Sequence, residues 1–272
     1  MNPIQLITAI ALCSALYGCG GSGSQGNAQA PSEPFQPVDP PAAPTDSAAS
    51  CFNPDLLTAG TRYIMRFEAI SEQQITRDSL VVGASSFAGE PAIEVATEIT
   101  AQRPGAADFI SQSEIFYQQP SALESLIIGT IVRFEGGGGT TDFDPGAAFS
   151  FALQPEETLQ SDYATTTMLS ATGEQLQDDF NIDITYIGRT TVTVPAGTFT
   201  ACEFEGRGSQ SGALEPSRLW IDEKSGLVVK QTNNWDINGG AQGPLATTGL
   251  SEFITLELDF GSINGVPIDQ LP

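Results

Sequence analysis

From Cys51 onward the apolar residues of this chain recur mainly at every second position, and that rhythm limits its fold more than any other property. At residues 250–260 the even positions read Leu250, Glu252, Ile254, Leu256, Leu258 and Phe260, and the odd ones Ser251, Phe253, Thr255, Glu257 and Asp259. This is the spacing of a half-buried strand, in which successive side chains point to opposite faces. Residues 182–194 alternate likewise, with Ile182, Ile184, Tyr186, Val192 and Val194 on one face and Asp183, Thr185, Arg189, Thr191 and Thr193 on the other. Further strand candidates are 61–70, 75–82, 92–100, 109–118, 123–134, 149–153, 199–205, 218–222 and 227–233. About a dozen strands joined by short turns predict a mainly β domain, a curved antiparallel sheet or partly open β-barrel. Helical spacing is confined to 155–169 and 174–180, so at most one or two short helices are expected.

Turn chemistry supports the hairpins. Val194-Pro195-Ala196-Gly197 sets Pro ahead of Gly as a tight turn prefers, so 182–194 should pair with 199–205. Asp222-Glu223-Lys224-Ser225-Gly226 does the same between 218–222 and 227–233. The run Gly136-Gly137-Gly138-Gly139 fixes no turn type and reads as a flexible loop. It lacks the helix and the Lys-Ser/Thr of a phosphate loop.

The hairpin residues also carry a resemblance. Val192-Thr-Val-Pro195-Ala-Gly197-Thr-Phe199, then Ala201-Cys202, Leu219-Trp220-Ile221 and Gly226-Leu-Val-Val-Lys230 resemble a group of uncharacterised bacterial envelope proteins. In that group a "VPAGTF" hairpin precedes a Trp-bearing strand and a "GLVK" strand, and Phe52 to Tyr63 resembles its entry segment. The resemblance implies a curved antiparallel sheet comparable to the half-open barrels of periplasmic lipoprotein carriers, with no established reaction. Pro195, Gly197, Phe199, Trp220, Gly226 and Lys230 are then structural, Trp220 being a core residue.

The N-terminus reads as an address. Residues 1–18 hold no charge, and their apolar run of about 13 residues is too short to span a bilayer, as a signal peptide's is. Leu16-Tyr17-Gly18-Cys19 resembles the lipobox of bacterial lipoproteins, which implies acylation of Cys19, with chains such as palmitate, after cleavage. Gly20 in place of Asp implies an outer-membrane anchor facing the periplasm or the exterior. Residues 19–50 then form a lipidated, disordered Gly/Ser/Pro tether able to span on the order of 30 Å, and 51–272 a single antiparallel β domain. Cys13 leaves with the signal peptide and Cys19 takes the lipid. Cys51 and Cys202 remain, either as a disulfide in an oxidising compartment or as two separate buried thiols.

Charge narrows the function. The chain has 33 Asp and Glu, 10 Lys and Arg and no histidine, for a net charge of −23. No basic run exists to bind nucleic acid phosphates, and no imidazole exists for a Ser-His or Cys-His couple. Paired carboxylates remain possible, at Asp142 and Asp144, Glu156 and Glu157, or Asp178 and Asp179, though adjacent acids in polar segments usually stay solvated. Asn234, Asp236 and Asn238 followed by Gly239 match the start of a calcium loop, but its twelfth position is Leu245, and an Asn-Gly hairpin turn explains the same residues. The expectation is a lipid-anchored, non-enzymatic cell-envelope protein that binds an apolar ligand or an envelope protein, without cofactor or nucleic acid. The alternative is a carboxylate-dependent hydrolase acting on envelope or extracellular glycans.

Overall fold

The computed structural model describes residues 46–69, 73–102, 104–105, 107–209, 217–233 and 254–271. The expected signal peptide, Cys19 and most of the tether lie outside the described residues, as do Asn234, Asp236 and Asn238. The strands are β1 (Arg62–Ala69), β2 (Gln74–Phe87), β3 (Glu90–Gln102), β4 (Phe109–Ser121), β5 (Glu124–Phe134), β6 (Gly137–Ser150), β7 (Thr158–Leu169), β8 (Gln175–Val194), β9 (Gly197–Ser209), β10 (Ser217–Asp222), β11 (Val228–Asn233), β12 (Ile254–Ile263) and β13 (Val266–Pro267). Each pairs antiparallel with the next, and β1 pairs with β12 from Tyr63↔Ile263 to Ala69↔Leu256. The curved antiparallel sheet thus curls until its own edges meet, giving a 12-strand up-and-down barrel with β13 appended to β12. Closure removes the unpaired edges that an open sheet would expose.

Two expectations are corrected. The segments with helical spacing are strand: β7 and the start of β8 pair from Thr158↔Thr185 to Met168↔Gln175. Thr165, Thr166 and Thr167 supply β-branched residues there, and pairing on both sides overrides a weak helical period. The glycine run is not a free loop either. Only Gly136 lies in the turn, while Gly137, Gly138 and Gly139 open β6 opposite Phe134, Arg133 and Val132. A Cβ on Gly138 would fall 2.3 Å from the Val132 carbonyl oxygen, so this strand needs glycine for close backbone approach.

Bulges shift the phase of the alternation. In β12 the pairing jumps from Phe67↔Leu258 to Arg66↔Phe260, so Phe260 leaves the inner face and lies under the Arg66 guanidinium, 5.5 Å from its ring centre.

The two ends of the barrel differ. At one end are the tight β2–β3, β4–β5, β8–β9 and β10–β11 turns and the N-terminal segment, whose 3-10 turn Ala48–Cys51 is buried among Phe149, Phe151, Tyr186, Phe204 and Ile221. The tip of the β8–β9 hairpin packs Val192, Val194 and Phe199 against Leu227, Leu256, Leu258, Met65 and Phe67, and Ala196 N–H donates to the Leu258 carbonyl. From the opposite end depart the β1–β2, β3–β4, β5–β6, β7–β8, β9–β10 and β11–β12 connections. There the inner-face residues Ile75, Arg77, Ile99, Phe109, Phe134 and Leu176 are only half-buried. The outer wall carries ion pairs such as Arg66–Asp259, Arg133–Glu114 and Lys230–Glu257. That is the reverse of the apolar-outward pattern with which β-barrels face lipid.

Candidate functional site

The half-buried end leads to a band of hydroxyls on the inner wall. Ser79 and Val81 are buried on β2 while Leu80 and Val82 are exposed, which fixes Arg77 on the inner face too. Register then aligns Tyr63↔Ser79, Ser79↔Thr97 and Thr97↔Ser113 across β1 to β4. Beyond Ile115↔Thr130 the band continues as Thr130↔Thr141 and Thr141↔Thr167, and Thr165↔Asp178 carries it onto β8.

Parts of this band satisfy themselves. The Ser79 and Thr97 hydroxyls are 2.9 Å apart, as are those of Thr141 and Thr167, and Thr165 donates to the Asp178 carbonyl at 3.4 Å. Between them, Ser111, Ser113 and Thr130 are 1%, 4% and 2% exposed, and none of their hydroxyls has a partner. The Arg77 Nε is buried and unpaired as well. Each buried polar group left unsatisfied costs about 1–3 kcal/mol, and most native interiors pair more than nine in ten of them. Ser111 and Ser113 on β4 and Thr130 on β5 are neighbours in this register, while the buried Ser50, Asp183 and Tyr186 oxygens without a partner lie elsewhere.

The band lies on the inner wall of a twelve-strand barrel. Eight strands already enclose a lumen that side chains can just fill, and twelve enclose a wider one. Here the wall offers small side chains, Ser111, Ser113, Thr130, Val132, Gly139 and Thr141. Burial pushes the Tyr63 phenol above its ordinary pKa, while the Ser79 hydrogen bond and the Arg77 charge pull the other way. At this level the inner wall carries hydroxyls and a guanidinium, with apolar Val81, Val95 and Ile115 one layer deeper.

The residues singled out in the sequence fall elsewhere. Cys51 and Cys202 form a disulfide, Cα atoms 6.2 Å apart, that fastens the N-terminal segment to β9. Pro195 and Gly197 form the β8–β9 turn, and Phe199 is buried beside it. Trp220 is half-buried against the hairpin cluster, with the Lys230 ammonium 5.8 Å from its ring centre. Gly226 has φ +71 and lies so close to Asn53 that a Cβ would sit 2.7 Å away. Asp142, Asp144, Glu156 and Glu157 are exposed, whereas Asp178 faces inward and Asp179 outward, as neighbours on a strand must. Among the described residues no three His, Cys, Asp or Glu gather as a metal site would require.

Arg77, Ser111, Ser113 and Thr130 were not marked by any motif. Their signal is a polar residue in the inward phase of an apolar strand, as Arg77 and Ser79 stand between Ile75 and Val81. No family model, curated protein or solved structure matches this chain.

Proposed function

We propose that this chain is a lipid-anchored protein of the bacterial cell envelope, held at the outer membrane through Cys19, whose barrel binds a small amphipathic molecule in its lumen. The reading gives the domain a binding role and no chemistry. The observation that carries it is the cluster of buried, unpartnered hydroxyls at Ser111, Ser113 and Thr130. Supporting it are the disulfide, which suits an oxidising compartment, and the charged outer wall, which suits a domain tethered in water beside a membrane. The lipobox resemblance at residues 16–19 supplies the anchor.

Native mass spectrometry of the protein released from the envelope tests the lumen. A bound small molecule is expected, and Ser111→Phe, which fills the band, should release it. A ligand-free mass, together with a crystal structure in which only water meets these hydroxyls, would sink the reading. Cys19→Ser tests the anchor separately and should abolish both acyl labelling and membrane retention; labelling that survives would contradict the lipobox assignment.

A further inference from the structure

We infer that Arg77 is the recognition group of the lumen and that its ligand is an amphipathic anion, a carboxylate or phosphate monoester carried on an apolar body. This deepens the lumen-binding reading and rests on it.

The other cations make the case. Of ten Lys and Arg, Arg103 lies outside the described residues. Arg62, Arg66, Arg133, Arg189, Arg207, Arg218 and Lys230 each pair with an Asp or Glu, and the Lys224 ammonium donates to the Leu271 carbonyl. Among the described residues Arg77 alone has neither, in a chain where acids outnumber bases 33 to 10. Its sequence neighbour Asp78 points outward and is taken by Arg62. Among the described residues, then, a carboxylate stands beside every other arginine and none beside Arg77.

Folding stability does not account for such an arginine. Arg77 is half-buried, and its Nε is out of water and meets no acceptor. Its contacts are the Phe67 ring, 5.5 Å from the guanidinium carbon, and the field of the Tyr63 phenol. Met65 and Ile99 flank it across β1 and β3, and Ser111 lies opposite Ile99 on β4. Two inter-strand spacings separate Arg77 from Ser111, roughly 10 Å, which a head group with two or three oxygens spans when each side chain reaches towards it. The planar guanidinium fork matches carboxylate or phosphate oxygens in pairs, and Ser111 and Ser113 add neutral donors. Half-buried Ile75, Ile99 and Phe134 offer the apolar surface for the rest of the molecule.

Calorimetry on the full chain carrying Cys19→Ser, titrated with octanoate, octyl phosphate, 1-octanol and inorganic phosphate, decides the matter. The two octyl anions should bind at least tenfold more tightly than 1-octanol, and Arg77→Met should erase that difference while leaving 1-octanol binding unchanged. The Tm of Arg77→Met should equal or exceed that of the parent, since a buried Nε without an acceptor has gone; a clearly lower Tm would mean a structural arginine and overturn the inference. Equal binding of 1-octanol and octanoate, unaffected by Arg77→Met, would also overturn it while leaving a lumen that binds amphiphiles. Binding of inorganic phosphate as tight as that of octyl phosphate, lost in Arg77→Met, would support the anion site and assign it to free phosphate instead of a lipid head group. Silence from all four probes would remove the inference and the lumen reading together.

Discussion

Tyr63 and Tyr163 hold their phenols in the interior, and burial raises both above the ordinary tyrosine value. A phenol whose folded pKa exceeds its unfolded value of about 10 keeps its proton longer when folded, so the unfolded chain binds fewer protons in that window. The stability these residues contribute is complete below pH about 10 and is lost as pH rises towards the folded value. Tyrosinate absorbance and far-UV circular dichroism should therefore change together in an alkaline titration; ionisation near pH 10 with the β signal intact would contradict the burial. Gly138 is the other sensitive residue. Gly138→Ala sets a methyl 2.3 Å from the Val132 carbonyl, and backbone cannot step aside as a side chain can. A loss of about 1–3 kcal/mol or more is expected, read as a lower urea midpoint, whereas Gly136→Asn in the open turn should cost a fraction of that. Neither residue advertises its role in sequence. Arg77 and Ser113 do so only faintly, because whether a polar residue in the inward phase meets solvent, a neighbour or nothing depends on which strands lie beside it.

The β8–β9 hairpin and the Cys51–Cys202 bridge secure one end of the barrel. The bridge closes a loop of 151 residues and pins the 3-10 turn Ala48–Cys51 onto the aromatic cluster. Replacing both cysteines with serine should lower unfolding free energy by about 2–5 kcal/mol, with the chain-entropy model at the upper end. Hydrogen exchange should show protection lost first at the Ala48 amide, which donates to the Leu153 carbonyl, and an unchanged amide there would separate the strap from the bridge. At this scale the hairpin turns were legible, since Pro195, Gly197 and Gly226 are local chemistry. The alternation of 182–194 was legible only as far as Tyr186: a bulge at Ile187 sets Val192 and Val194, opposite Phe199 and Gly197, on the other face of the hairpin from Ile184 and Tyr186. What was not legible was set by partners: β7 has a sequence compatible with a short helix and becomes a strand because β6 and β8 lie on either side. The Phe260 phase was hidden too, since a bulge depends on the register of two strands.

At the scale of the molecule, alternation predicted a curved sheet, and closure is what strand count, twist and the pairing of β1 with β12 add to it. Charge on the outer wall and a single band of hydroxyls on a mostly apolar inner wall then distinguish the two faces of the barrel. A chain ending at residue 253 would lack β12, leaving β1 and β11 as bare edges. It should elute as oligomers or aggregates in size-exclusion chromatography; a well-behaved monomer would show that the seam is dispensable. The same seam sets an order of assembly. Every other pairing joins consecutive strands and can form as they are delivered, but Tyr63 meets Ile263 only after about 200 further residues have arrived. A chain made N-terminus first must therefore keep one edge of β1 unpaired until β12 arrives. During that interval the edge is open to other chains, and the exposure ends only when the last long strand docks.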